Sequence, residues 1–122
     1  MIVAHELAHA VLRHRVRLAA AGTSGGVLRE FGRSGRLLRR VEREADALSV
    51  VLLRNARYDP ASAPAFWRGA GRSVDPGIFR SRIYDSPRER AAALEAAAAA
   101  IPPDAPTPWV PPLVATRELP LE

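Results

Sequence analysis

His5-Glu6-Leu7-Ala8-His9 is an H-E-x-x-H sequence, and its reading governs what is expected of every other segment. On a helix, positions i and i+4 lie one above the other on one face, so the two imidazoles can turn toward a single metal ion. Glu6 then stands beside that ion, placed to take a proton from the water that attacks a carbonyl. Five residues of this kind also arise by chance on an ordinary polar surface helix, so the rest of the chain has to supply the support.

The chain has 122 residues, enough for one small domain with a single modest core. It contains no cysteine, which excludes a disulfide framework and a Cys-rich zinc knuckle and leaves any metal to His and carboxylates. All 18 of its Lys plus Arg residues are Arg, and alanine is abundant, a composition expected of a GC-rich bacterial genome. The formal net charge of +5 admits an acidic partner such as nucleic acid or an anionic membrane. Arg is spread along the whole chain with few aromatics between, which speaks against a nucleic-acid module. No stretch reaches the ~20 apolar residues of a membrane span, and no signal peptide precedes the motif, so the chain as given is expected to be soluble. The motif helix begins abruptly, without Ser, Thr, Asp or Asn as N-cap, as expected if the chain is truncated and a targeting segment lies upstream. That leaves a cytoplasmic or a periplasmic location open.

Periodicity predicts one helix from Ile2 to about Ala21, with Ile2, Val3, Leu7, Ala10, Val11 and Leu18 as its apolar face. On such a continuous helix His14 falls about 140° from His9, the position of a solvent histidine rather than a ligand. Gly22-Thr23-Ser24-Gly25-Gly26 stops this helix, Val27 to Phe31 suggests a short helical turn, and Gly32 to Gly35 a further break. A second long helix is predicted from about Arg36 to Ala56, with Leu37, Leu38, Val41, Ala45, Leu48, Val51 and Leu52 as one core stripe.

Beside that stripe lie Glu42 and Asp46, two carboxylates at i and i+4 that repel on a bare helix and that a cation would reconcile. Glu42 is the best third ligand, completing a His5, His9, Glu42 set with one position left for water. Asp46 would accept a hydrogen bond from a ligand histidine and fix its tautomer. The alternative is that Arg39, Arg40, Glu42, Arg43, Glu44 and Asp46 form a solvated ion-pair lattice, to which Glu44 is assigned because two residues along a helix turn it away from Glu42.

His5-Glu6-Leu7-Ala8-His9 followed by Glu42-Arg43-Glu44-Ala45-Asp46 resembles the H-E-x-x-H and E-x-x-x-D pair of the M48 family of zinc metallopeptidases, gluzincins of the HtpX-like kind. Arg57-Tyr58-Asp59-Pro60 resembles that family's G-Y-D-P, and Tyr84-Asp85-Ser86-Pro87-Arg88-Glu89-Arg90-Ala91 its H-P-S-x-x-E-R-I, with Tyr84 where the family has His. The resemblance implies His5, His9 and Glu42 as Zn2+ ligands, Glu6 as general base, Asp46 as ligand support, and a protein or peptide substrate. The short interval from His9 to Glu42 also resembles the ImmA/IrrE-like zinc proteins, whose E-x-E-A-N differs here by Asp46 and which would imply a regulatory role. Both resemblances imply the same metal set.

The fold is therefore expected to be mainly α over residues 1–101, a zincin-like helical metallopeptidase subdomain with any sheet reduced to a remnant. Asp59 is expected to cap a helix with Pro60 at its first position, and Phe66 and Trp67 to pack in the core. Arg72 to Gly77 reads as loop, and Ile78-Phe79 as cover for part of the cleft. Ser86-Pro87-Arg88-Glu89 is a capping box opening an Ala-rich helix to about Ile101. Tyr84, just before it, offers a hydroxyl to an oxyanion or else packs on the helix start. Residues 102–122 are too rich in Pro for helix or central strand and should form an extended arm, laid on the body through Trp109, Val110, Leu113 and Val114.

Overall fold

The computed structural model describes residues 1–23, 32–73 and 84–122. Among them there is no strand; the expectation of a mainly helical protein holds at that level. Five α-helices follow in order: α1 Ile2–Val11, α2 His14–Ala20, α3 Gly32–Asn55, α4 Ser62–Arg68 and α5 Pro87–Ala99. Two 3-10 segments, Ala70–Ser73 and Pro112–Glu118, complete the described elements. None of the described helices is long and apolar enough to cross a membrane.

The long helix α3 is the axis of the molecule. Its stripe Leu37, Leu38, Val41, Ala45, Leu48 and Val51 is buried as the spacing predicts, with Leu52 half-buried at its edge. Gly35 is absorbed inside the helix and buried, so the expected break before Arg36 does not occur at that residue. Three packed groups cover α3 along its length. Ala4, Val50, Leu53, Ala63, Trp67, Ala91 and Leu94 gather α1, α3, α4 and α5. Ala8, Leu12, Ala45, Leu48 and Val51 join α1 to the middle of α3, and Leu37, Val41 and Leu121 seal its beginning.

Two expectations about the N-terminal helix are corrected. It is interrupted: Leu12 and Arg13 form a turn, Arg13 adopts a left-handed backbone with φ 54° and ψ 33°, and α2 starts in a new direction at His14. Its buried face is also a different one. Ala4, Ala8 and Leu12 face α3, whereas Ile2, Val3 and Leu7 are more than half exposed. Small side chains let two helix axes approach closely, and that approach outweighs the larger apolar area of the other face.

At the other end, the Ser86 hydroxyl accepts from the Glu89 N–H while the Glu89 carboxylate accepts from the Ser86 N–H, so the predicted capping box is present with Pro87 at N1. Asp59 does not cap α4. Its carboxylate accepts from the Ala61 N–H in a turn, and the helix starts at Ser62. Phe66 and Trp67 pack edge to face with ring centroids 5.3 Å apart. The expected loop from Arg72 begins as the 3-10 turn Ala70–Ser73. The expectations for 24–31, for the rest of that loop and for the Ile78-Phe79 cover lie outside the described residues.

The Pro-rich arm is strapped onto α3 rather than extended throughout, because Pro111 and Pro112 lead into the 3-10 turn Pro112–Glu118. Asn55 clamps it from both sides, its amide donating to the Trp109 carbonyl at 2.8 Å and accepting from the Trp109 N–H at 2.9 Å. Arg54 donates to the carbonyls of Ala105 and Pro106. Trp109, Leu113 and Val114 pack against the middle of the core as expected, while Val110 points to solvent.

Candidate functional site

Close packing of α1 on α3 through Ala4, Ala8 and Ala45 brings His5 and His9 against Glu42. His5 Nε2 lies 3.0 Å from His9 Nε2 and 3.2 Å from Glu42 Oε2, and His9 Nε2 lies 3.5 Å from Glu42 Oε1. One ligand atom from each of the three falls within 4.8 Å of the others. Two imidazoles and one carboxylate form a borderline nitrogen and oxygen donor set of the type that suits zinc. Ligands at about 2.0–2.1 Å in a tetrahedron stand roughly 3.3 Å from one another, close to the separation of the two Nε2 atoms and of each from its nearer Glu42 oxygen.

Asp46, one turn after Glu42, is buried and accepts from His5 Nδ1 at 2.9 Å. That bond leaves the other ring nitrogen, Nε2, facing Glu42. The carboxylate is itself gripped by Arg90 of α5, whose Nε and Nη2 donate to Oδ2 and Oδ1 at 2.7 and 2.6 Å. The Arg90 guanidinium stacks on Trp67 with its carbon 3.8 Å from the ring centroid. Tyr84 is half-buried, its ring centroid 5.7 Å from the same guanidinium carbon. Next to it, Asp85 is tied to α3 by two bonds from Arg43, at 2.6 and 2.8 Å.

Electrostatics follow from this geometry. Burial alone would lower the His5 pKa, but hydrogen bonds to Asp46 and then Glu42 outweigh it and carry His5 up to about 9. Glu42 is moved the opposite way: burial favours its protonated form, and bonds from His5 and His9 override that and hold it near 2. The motif glutamate, Glu6, is exposed on α1, between the exposed Val3 and Leu7.

His14, expected in solvent, is buried beside His9, and Glu44 keeps the ion pairs expected of it but is largely withdrawn from solvent. His14 is 1% exposed, and its Nδ1 lies 2.9 Å from His9 Nδ1. Its other nitrogen, Nε2, lies 3.1 Å from Glu44 Oε2. Glu44 in turn accepts from Arg17 at 3.1 Å and from Arg40 at 2.8 Å. Burial raises the Glu44 carboxyl, yet the bonds from His14, Arg40 and Arg17 hold it near 2. His14 is pushed below its usual value, first by burial and against the pull of Glu44. A straight helix would have kept His14 away from His9; the left-handed Arg13 redirects it. No signal in the sequence marks that turn, since the residue is not glycine. Arg90 was equally silent as the partner of Asp46, 44 positions away.

Compared with known proteins, the chain matches no family model, no curated protein and no solved structure.

Proposed function

We propose that this chain is a zinc-dependent peptidase centre, with His5, His9 and Glu42 as the metal ligands and Glu6 as general base. The observation that carries the reading is the convergence of an H-E-x-x-H pair and a carboxylate from a second helix, with Asp46 already bonded to the non-ligating nitrogen of His5. Resemblance to the M48 pattern points the same way, and protein or peptide is the substrate class it implies.

A bound zinc ion supplies a Lewis acid that polarises a carbonyl and acidifies water. The chain's own groups do the rest. Asp46 fixes the His5 ring so that a nitrogen lone pair faces the site. Glu6, one residue after His5 and open to solvent, accepts a proton from attacking water and returns it to the leaving amine. The exposed side chains of Val3 and Leu7 beside it give apolar ground for a substrate side chain. Tyr84 is assigned to the oxyanion, and Tyr84→Phe separates that role from packing: it lowers turnover in the first case and leaves it unchanged in the second.

Zinc content by atomic emission and hydrolysis of an unstructured peptide mixture test the proposal together. One zinc per chain is expected in the parent and in Glu6→Gln, with hydrolysis lost only in the variant; Glu42→Ala should carry none. Equal zinc in parent and Glu42→Ala would remove Glu42 from the ligand set.

A further inference from the structure

His5 and His9 are backed differently. A histidine that offers Nε2 to a metal must carry its proton on Nδ1, and the acceptor of that proton fixes the ring. For His5 the acceptor is a carboxylate, Asp46. For His9 it is a second imidazole: the two Nδ1 atoms of His9 and His14 stand 2.9 Å apart.

Two nitrogens at that distance share one proton, and the groups beyond decide which ring owns it. With the proton on His9, His14 Nδ1 is an acceptor, so the His14 proton must sit on Nε2. There it meets Glu44 Oε2 at 3.1 Å and is donated. Glu44 stays ionised between Arg17 and Arg40, so each donor along the line meets an acceptor. With the proton on His14 Nδ1 instead, a neutral His14 would turn its Nε2 lone pair against the carboxylate of Glu44, two acceptors at 3.1 Å with no hydrogen between them.

We propose that His14, anchored by Glu44, is a positioning residue that locks His9 in the tautomer presenting Nε2 to a metal ion. This rests on the metal reading above. Its distinguishing feature is that the lock acts through an imidazole whose own tautomer is set by the next carboxylate.

The test uses the full chain, with zinc affinity from competition against a chromophoric chelator and nitrogen-15 NMR of the histidine rings in the zinc-loaded protein, where the metal takes the His9 Nε2 that otherwise faces Glu42. In the parent, His9 should be protonated on Nδ1 and His14 on Nε2. His14→Phe, which fills the space without an acceptor, and Glu44→Leu, which removes the acceptor of the His14 Nε2 proton, should each weaken zinc binding about 10–100-fold, the usual effect of losing such a partner. His14→Gln, which restores an acceptor oxygen, should recover much of that. A parent that binds zinc while His14→Phe and Glu44→Leu bind it equally well overturns the lock and leaves the metal site standing. A parent that binds no zinc removes the metal reading itself. Should His14→Phe fail to fold, the ring spectra of the parent decide: a proton on His14 Nδ1 overturns the assignment.

Discussion

Arg90 and Asp46, from helices α5 and α3, form a two-pronged ion pair at 2.6 and 2.7 Å with both side chains buried. The pair is the junction of the molecule: one end of Asp46 orients His5, while Arg90 stacks on Trp67 and docks α5. Removing Arg90 strands a buried carboxylate. Arg90→Met should therefore destabilise the chain by about 3–5 kcal/mol, whereas Arg90→Met combined with Asp46→Leu should recover most of that loss. Arg90→Lys should behave like a loss, because an ammonium cannot make both bonds or stack flat. Urea denaturation midpoints check all three; a midpoint unchanged in Arg90→Met would refute the junction.

The His5 and Glu42 pair makes the metal-free protein sensitive to pH at both ends. His5 is raised from 6.5 to about 9, so its contribution to stability is whole below pH 6.5 and lost as pH climbs through 9. Glu42 is lowered from 4.5 to about 2, so its contribution is whole above pH 4.5 and lost as pH falls through 2. Metal-free stability from this pair should thus be greatest between pH 4.5 and 6.5. A zinc ion must displace the His5 proton, so affinity should rise up to about pH 9, with roughly one proton released per ion. Calorimetric titration in two buffers of different ionisation heat measures that proton; zero release would contradict the arrangement.

The arm should matter to stability through Asn55 rather than through its prolines. Asn55→Ala breaks two bonds to the Trp109 backbone in a half-buried position and leaves both groups short of partners. A loss of about 1–3 kcal/mol is expected, with zinc affinity unchanged, since the clamp touches none of His5, His9 or Glu42. Melting temperature and zinc titration on the same variant check the two halves of that statement.

How much of this could be read from the sequence differs by element, for physical reasons. The stripe on α3 was legible because large apolar residues recur at helical spacing and all of them face the core. The face of α1 was misread because Ala4 and Ala8 contribute little apolar area; they matter by letting α1 come close enough for its imidazoles to reach Glu42. That His5 and His9 share one helix face and Glu42 and Asp46 another was legible from i and i+4 spacing, and the expectation that the two faces meet came from the chemistry of the donor set and the family resemblance. The second line of support was not, because it depends on a backbone reversal at one arginine and on a pairing between distant segments.

That reversal yields the sharpest backbone prediction. Arg13 sits at φ 54° and ψ 33°, a conformation that costs an L-residue roughly 1–2 kcal/mol and glycine little. Among the described residues its side chain bonds Glu118, an exposed pair of small worth. Arg13→Gly should relieve the strain and raise stability by up to about 1 kcal/mol, part being returned through the greater freedom of the unfolded chain. Arg13→Val, a β-branched residue at positive φ, should instead lower stability. Because the turn aims His14 at His9, the same Val variant should also weaken zinc binding, while the Gly variant keeps it. If both variants melt with the parent and bind zinc alike, the break between α1 and α2 does not set the position of His14.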